Sequence, residues 1–323
     1  PMNNQMKRRA FLTQAAQTAA VAGIGAQTVL AEPAAQKKSF IQIGILLNTF
    51  RTGTLEARLD AAKAAGIEAV QLSMDCAGLT AMPDEIKPEL LPPIRRAAAE
   101  RGIKLASLSG TFNMCHPDAE QRQTGLRRLR VLIEACAPLG ISNIHLCTGT
   151  RDRTSMWRRH PDNDTPEAWR DMVASLREMV QIAEEHAVTL AFEPEVSNVI
   201  DSAAKGRRLL DAIGSARLKV VMDGANLFHA GELPRMREIL EEAFALLGND
   251  IVLAHAKDLS RDGDAGHEAA GTGLLDYGHY IALLRGAGYR GPLVLHALAE
   301  EQVDACVAFL RQKGVALGSA EAR

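Results

Sequence analysis

Four residues whose side chains can bind metal ions each follow directly after a short apolar run. They are Glu193, Asp223, His255 and His296. Carboxylate oxygens and imidazole nitrogens are the ligands that divalent ions such as Zn²⁺ and Mn²⁺ accept in proteins. If the four runs are neighbouring parallel strands, their carboxyl ends meet at one edge and the four side chains converge. The sequence therefore predicts one divalent metal site, built from groups that can also transfer protons.

The elements that would position these residues alternate between short apolar runs and longer segments of helical periodicity. Most runs are nearly all apolar, as parallel strands covered on both faces must be. The eight runs are Ile41–Leu46, Ala69–Leu72, Leu105–Leu108, Asn143–Leu146, Thr189–Phe192, Leu218–Met222, Ile251–Ala254 and Leu293–Leu295. Eight strand and helix units without a linker predict a single (β/α)8 TIM barrel, whose catalytic residues lie at the carboxyl ends of the strands.

Glycines mark the expected ends of several helices. A glycine stands in the turn between a helical segment and the next apolar run at five places: Gly66, Gly102, Gly140, Gly248 and Gly288. We expect these glycines to adopt the left-handed conformation that closes a helix.

A doubly wound sheet is the main alternative fold. It requires a glycine-rich phosphate-binding turn after its first strand. The chain has no GxxxxGK[ST] motif, and Gly271-Thr272-Gly273 is followed by Asp276 where a third glycine belongs. The barrel is therefore favoured.

Composition narrows the function classes. The 323 residues include 37 Lys plus Arg and 39 Asp plus Glu, and 47% are hydrophobic. This composition excludes a disordered chain, and the formal charge of −2 gives no basis for nucleic-acid binding. The five cysteines form no CxxC pair, so we interpret them as small core residues and not as a disulfide framework.

The N-terminal segment resembles a twin-arginine export signal. Lys7-Arg8-Arg9 precedes a weakly apolar stretch that ends at Val29-Leu30-Ala31, where small side chains suit a signal peptidase. We predict a signal peptide over residues 1–31, a barrel over residues 32–323, and a periplasmic or exported protein with no membrane association after cleavage.

Longer motifs around the four candidate ligands resemble one family. They are Phe192-Glu193-Pro194, Val220-Val221-Met222-Asp223, Leu253-Ala-His255-Ala-Lys257-Asp258 and the tract Gly271-Thr-Gly-Leu-Leu-Asp-Tyr277. Over residues 40 to 312 the chain resembles the xylose isomerase-like TIM barrels, which include sugar phosphate isomerases and epimerases and the type 2 apurinic endonucleases. The resemblance implies that Glu193, Asp223 and His255 bind one divalent ion, Mn²⁺ or Zn²⁺, and that Glu193 transfers protons.

The fourth ligand position departs from the family pattern, since His296 stands where the family has a glutamate. Imidazole can still bind the metal, so we expect His296 to complete the site. Two-base epimerisation then needs a second base from Lys257, Glu195 or His296, whereas isomerisation on one face or elimination needs only Glu193. We predict Glu193, Lys257 and His296 as the catalytic residues.

The remaining candidates are residues that could bind a sugar. A sugar hydroxyl left unpaired on burial costs about 1–3 kcal/mol, so a binding site must offer polar partners. The candidates for this role are Asn113, His116, Arg151, Trp157, Glu195 and Asn226. Trp157 could equally be structural and Asn226 could equally cap a helix. We interpret His145, inside the fourth apolar run, as a satisfied core or barrel-interior residue.

Three functional hypotheses follow. The first is a metal-dependent sugar isomerase or epimerase that abstracts a proton next to a carbonyl through a metal-stabilised enediolate. The second is a periplasmic 3-keto-glycoside lyase or hydratase, and the third is a non-catalytic sugar-binding barrel. The expected partner is a small-molecule sugar or glycoside and not nucleic acid, because Asn226 interrupts the Asp-x-x-His pair of the apurinic endonucleases. Homo-oligomerisation stays open.

Overall fold

The protein forms a closed barrel of eight parallel strands surrounded by eight helices. The structure is a computed structural model that describes residues 42–51 and 53–320, with the side chains of 315–320 left out. The predicted signal peptide at residues 1–31 lies outside the described residues. The predicted (β/α)8 barrel is confirmed.

The strands pair in chain order, and the first pairs with the last to close the barrel. They are β1 (Gln42–Leu46), β2 (Ala69–Leu72), β3 (Lys104–Ser109), β4 (Asn143–Cys147), β5 (Thr189–Glu193), β6 (Leu218–Asp223), β7 (Ile251–Ala256) and β8 (Pro292–Leu295). Each strand lies within two residues of its predicted apolar run at both ends. Where β5, β6 and β7 extend beyond that run, they include the first polar residue after it, Glu193, Asp223 and His255 respectively, because the ladder continues into the site.

One helix follows each strand. The helices are α1 (Leu55–Ala64), α2 (Leu91–Glu100), α3 (Ala119–Leu139), α4 (Pro166–Glu185), α5 (Ala203–Ile213), α6 (Met236–Leu247), α7 (Tyr277–Gly286) and α8 (Val303–Ala320). Several begin at a side chain that accepts a hydrogen bond from the first turn, such as Asp118 for α3, Thr165 for α4 and Ser202 for α5. These caps satisfy N–H groups that have no partner within the helix.

The predicted left-handed glycines are confirmed with one exception. Gly66, Gly102, Gly140 and Gly288 have φ between 69° and 76°. The prediction is wrong for Gly248, which has a φ of −53° because the chain continues from α6 into a short 3-10 helix over Gly248–Asp250. A right-handed turn therefore leads into β7.

The apolar residues form two separate cores. The larger core fills the space between the strands and the helices, and the five cysteines of the chain are buried free thiols. The smaller core lies inside the barrel and consists of Ala191, Val221, Leu253 and Val294. It fills the barrel interior below the carboxyl ends of β5 to β8. The polar residues that follow these strands lie directly above it.

The backbone at the ends of β6 and β7 is fixed by two buried tyrosines of α7. The Tyr280 hydroxyl donates to the carbonyls of Met222 and His255, at 2.9 and 3.1 Å. The Tyr277 hydroxyl donates to the carbonyl of Lys257 at 2.9 Å. Among the described residues, no helix is both long enough and apolar enough to span a bilayer.

Candidate active site

The candidate site lies at the carboxyl end of the barrel, directly above the inner core. Side chains in a strand alternate between its two faces, so a residue two positions after an interior residue also points into the barrel. The pairs of core and site residues are Ala191 and Glu193, Val221 and Asp223, Leu253 and His255, and Val294 and His296. All four predicted metal ligands are therefore brought together.

Glu193 is almost completely buried, and both of its carboxylate oxygens accept hydrogen bonds. His145 Nε2 lies 2.7 Å from Oε2, and the side-chain amide of Asn226 donates to Oε1. Asn226 is itself fixed, because its Oδ1 accepts from the Gly266 N–H at 2.8 Å. Burial opposes ionisation of Glu193, but His255, His145 and Lys257 outweigh it and hold the pKa of this carboxyl well below its usual range. Glu193 is a fixed carboxylate anion.

Gln71 of β2 connects two of the site histidines. Its amide nitrogen lies 3.0 Å from His145 Nδ1 and donates to Ser109 Oγ at 2.9 Å. Its amide oxygen lies 2.9 Å from His255 Nε2. The Nε2–H of His255 donates to Gln71, so Nδ1 is the ring nitrogen that faces the carboxylates, and it can act as a metal ligand when it carries no proton. His145 Nδ1 accepts from the Gln71 amide, so His145 carries its proton on Nε2, the atom that faces Glu193.

Three buried polar atoms at the centre of the site have no hydrogen-bond partner among the described residues. They are Asp223 Oδ2, His255 Nδ1 and His296 Nδ1. The Nδ1 atom of His255 lies 3.3 Å from Glu193 Oε2 and 3.9 Å from Asp223 Oδ2. Ligand atoms of Asp223, His255 and His296 lie within 4.8 Å of one another, as do those of His145, Glu193 and His255. Buried acceptors without donors are costly unless a cation or a donor satisfies them.

Lys257 places a buried positive charge beside these carboxylates. Its Nζ lies 3.5 Å from Asp223 Oδ2. Burial alone would discharge the ammonium group, but Asp223, Glu193 and Glu195 outweigh it and raise the pKa of Lys257. Only 4% of Lys257 is exposed, so it is a buried residue of the site.

Glu195 follows β5 and lines the same cavity. Its backbone N–H donates to the Ile200 carbonyl at 2.9 Å, which fixes the turn after the strand. Its Oε1 is buried and, among the described residues, has no hydrogen-bond partner. Burial raises the pKa of Glu195 to about 7, even though Lys257 acts in the opposite direction.

The site opens into a cavity of about 600 Å³. Its floor includes Gln71, Glu193, His255 and Lys257, and Trp157 lies at its wall with 54% of its surface exposed. This volume is within the about 300–1,000 Å³ typical of small-molecule sites. A polar floor under an open mouth is the arrangement expected of a binding site for a polar small molecule.

Comparison with known proteins identifies the family of the chain. Residues 59–313 match the family model described as xylose isomerase-like TIM barrel. The chain belongs to the xylose isomerase-like TIM barrel family. A search of curated protein sequences gave no significant match to the chain.

Solved structures with the same fold include sugar epimerases. The apo form of 3-keto-D-glucoside 4-epimerase from E. coli is 19% identical, covers 84% of this chain and 99% of its own, and has a TM-score of 0.64. D-psicose 3-epimerase in the presence of D-fructose is 17% identical, with coverages of 84% and 98% and a TM-score of 0.62. The IolI protein with a bound zinc atom is 16% identical, with coverages of 85% and 98% and a TM-score of 0.64. At these identities the similarity establishes the shared fold.

The residues of this xylose isomerase-like barrel fit a divalent ion. Glu193 and Asp223 offer oxygens and His255 and His296 offer nitrogens, which is a donor set suited to Zn²⁺ or Mn²⁺. Gln71 accepts the other ring N–H of His255, as outer partners of metal-binding histidines commonly do. Burial and then the charge of Lys257 hold the pKa of His296 well below its usual range, so its ring is neutral, as a ligand must be.

Four of the six predicted sugar-binding residues do not line the cavity, namely Asn113, Arg151, His116 and Asn226. Asn113 bonds to both backbone groups of Thr150, at 2.9 and 3.0 Å, and thereby joins the loops after β3 and β4. Arg151 donates to the Cys115 carbonyl at 3.1 Å and pairs with an aspartate of α4. The polar groups of these two side chains are engaged within the loops, so we assign them to loop structure and not to substrate contact.

The third of these residues, His116, is also engaged locally. Its Nδ1 accepts from the Asp118 N–H at 3.1 Å, at the start of α3, and its Nε2 lies 3.3 Å from the Arg153 carbonyl. Of the other candidates, Trp157 and Glu195 line the cavity. Asn226 lies beneath it, where it holds Glu193 and does not face the substrate space.

Sequence reasoning missed two site residues. His145 is a barrel-interior residue as predicted, but it belongs to the site because it bonds to Glu193. Gln71 is not among the predicted site residues. Strand periodicity could have found His145, since it follows the interior residue Asn143 by two positions. The role of Gln71 has no such signal, because it depends on the partners that β4 and β7 bring across the barrel.

Proposed function

We propose that the protein is a metal-dependent enzyme of the sugar isomerase and epimerase type, which removes a proton next to a carbonyl. The observation that carries the proposal is the cluster of ligand atoms of Asp223, His255 and His296, which lie within 4.8 Å of one another beside the ionised Glu193. His255 Nδ1 and His296 Nδ1 are buried without a hydrogen-bond partner among the described residues, and both histidines border the open cavity. Structural neighbours with this fold that act on keto sugars support the same reaction class.

The proposed ligands are Glu193, Asp223, His255 and His296. A Zn²⁺ or Mn²⁺ ion held by these residues would supply positive charge beside the substrate carbonyl, where negative charge develops when the proton is removed. Gln71 keeps the Nδ1 lone pair of His255 directed at this position. Two observations support these ions as candidates: the donor types, and neighbours such as the zinc-containing IolI structure.

We assign proton transfer to Glu195 and the ligand role to Glu193. Both carboxylates line the cavity, but Glu193 already accepts hydrogen bonds at each oxygen, which weakens it as a base. Glu195 lines the cavity, and burial raises its pKa to about 7, which suits a base that works near neutral pH. Lys257, the nearby buried cation, can stabilise the oxygen that becomes negative when the proton leaves. The sequence analysis assigned proton transfer to Glu193, and this assignment gives that role to Glu195.

Solvent exchange tests the proposal directly. The metal-loaded protein is incubated in D2O with ketohexoses and with 3-keto-glycosides, and deuterium at the carbon next to the carbonyl is followed by NMR. We expect exchange that disappears on chelation. Glu195→Gln should slow it by about 10²–10⁴-fold while the metal is retained. Glu193→Gln should instead lower metal retention.

A matched control keeps the outcome interpretable. Glu89 is exposed, lies outside the cavity and carries the same side chain, so Glu89→Gln should exchange at the wild-type rate. Absence of exchange with every sugar, for a protein that holds its metal, would overturn the enzyme proposal in favour of a non-catalytic sugar-binding barrel.

A second candidate is elimination of the group attached to a keto sugar, the lyase or hydratase reaction. The cavity volume of about 600 Å³ favours it, because it leaves room beside a single sugar ring. Elimination begins with the same proton removal and differs in releasing the attached group. Detection of free aglycone from a 3-keto-glycoside separates it from isomerisation.

We further propose that the protein is exported to the periplasm. The support is the basic motif Lys7-Arg8-Arg9 before an Ala/Gly-rich stretch. Cell fractionation of the full chain and of an Arg8→Lys, Arg9→Lys double variant tests this. Equal distribution of the two proteins would contradict export by the twin-arginine route.

A further inference from the structure

The charge distribution of the cavity is unfavourable for a phosphorylated sugar. Lys257 is the one lysine or arginine among the described residues that line the cavity, and it is already paired with Asp223. Glu193, Glu195 and Asp264 line the same space. A phosphate monoester carries about −1.5 to −2 charges at neutral pH and requires clustered cationic or N–H donors. The cavity offers carboxylates in their place.

One part of the cavity lining is apolar. It is formed by Ala81, Met82, Met156, Trp157 and Ala265, from the loops after β2, β4 and β7. Trp157 is one of three large hydrophobic residues in the described chain that are exposed. Aromatic faces and methionine side chains bind apolar ligand surfaces, including the C–H face of a sugar ring or an aromatic group.

The size of the cavity points in the same direction. A free hexose has about a dozen non-hydrogen atoms, whereas cavities of this class enclose drug-sized ligands. With one ring held at the carboxylates, a cavity of about 600 Å³ leaves space for a second group, and Trp157 is among the residues that line it.

We infer that the substrate is an unphosphorylated glycoside, whose reacting ring lies at Glu193 and Glu195 and whose second group contacts Trp157, Met82 and Met156. This inference rests on the proposed function for the identity of the reacting end. The specificity-determining residue is Trp157, which touches the part of the substrate that does not react.

Intrinsic fluorescence tests the inference without requiring activity. The chain has two tryptophans, and Trp169 lies apart from the cavity, in α4 with Arg208 stacked 3.9 Å from its ring centre. In a Trp169→Phe variant the emission therefore reports on Trp157. The metal-loaded variant is titrated with a panel of phenyl hexosides, with the parent hexoses and with hexose 6-phosphates.

We expect at least one phenyl hexoside to change the emission saturably and to bind about 10-fold more tightly than its parent hexose. The converse variant, Trp157→Phe, should give no emission change, because only the distant Trp169 remains. Calorimetry on Trp157→Ala should show the glycoside weakened by about 3–10-fold and the parent hexose unchanged within about twofold.

Two results would overturn the inference: tighter binding of a hexose 6-phosphate than of its parent hexose, or no saturable response to any phenyl hexoside. The solvent-exchange experiment keeps this failure separate from failure of the proposed function. Glycoside binding without exchange would refute the enzyme and leave the glycoside site intact. Exchange confined to free hexoses or their phosphates would support the enzyme and refute the glycoside site.

Discussion

Replacing Gln71 tests whether the site is built for a metal ion. Gln71→Met retains the length and apolar volume of the side chain but removes both amide groups, on a residue that is only 1% exposed. His255 Nε2 then loses its acceptor at 2.9 Å and His145 Nδ1 loses its donor at 3.0 Å. A buried donor without a partner costs about 1–3 kcal/mol. The proton of His255 can then move to Nδ1, where it blocks the lone pair that a metal needs.

The expected result is a 10–100-fold loss of metal affinity, which is about the effect of removing an outer partner of a metal-binding histidine. The assay is competition between the apoprotein and a chromogenic chelator for Zn²⁺ or Mn²⁺, with circular dichroism to verify that the variant folds. Ser109→Ala is the matched control, because it removes one bond to Gln71 at 2.9 Å and leaves both histidine contacts. Its affinity should fall by less than about threefold. If Gln71→Met binds metal as tightly as wild type, the assigned histidine orientation is wrong.

Two further predictions concern stability. Removing the metal with a chelator should lower the melting temperature by about 5 °C or more, since an ion at about 100 times its Kd contributes about 2.7 kcal/mol to unfolding; an unchanged melting curve would contradict specific binding to the folded state. Gly149→Ala should lower the free energy of unfolding by about 1–3 kcal/mol more than Gly78→Ala does. Both glycines are left-handed, at φ 78° and 80°, but an added Cβ at Gly149 would lie 2.1 Å from Asn113 Oδ1, whereas none lies within 4 Å at Gly78. Equal melting temperatures for the two variants would contradict the role given to Asn113.

The barrel was predictable because it depends on local patterns. Apolar runs and helical stripes repeat along the chain, and strand periodicity then directs every second residue into the barrel. Glu193, Asp223, His255 and His296 come from consecutive strands in that register, so their convergence follows once the barrel is assumed. The turn at Gly248 was not predictable, since the same glycine suits both a left-handed cap and the 3-10 helix that is present.

The partners of the site residues depend on contacts across the barrel and were harder to predict. Gln71 lies on β2, 184 positions from His255, and nothing in its local sequence distinguishes it from another strand residue. Asn113 and Arg151 have the side chains expected of sugar-binding residues. In the structure their polar atoms form hydrogen bonds with loop backbone groups. Those backbone groups need side-chain partners because they do not belong to a helix or strand. Residue type alone does not separate these two uses.

The most direct test of a metal-dependent site is elemental analysis of the protein purified without chelator, beside its His296→Ala variant. The account predicts about one divalent ion per chain in the wild type, as expected for a single four-ligand site, and weaker retention in the variant. A wild-type protein that holds no divalent ion, even after incubation with Mn²⁺ or Zn²⁺, would contradict the site and the chemistry assigned to it.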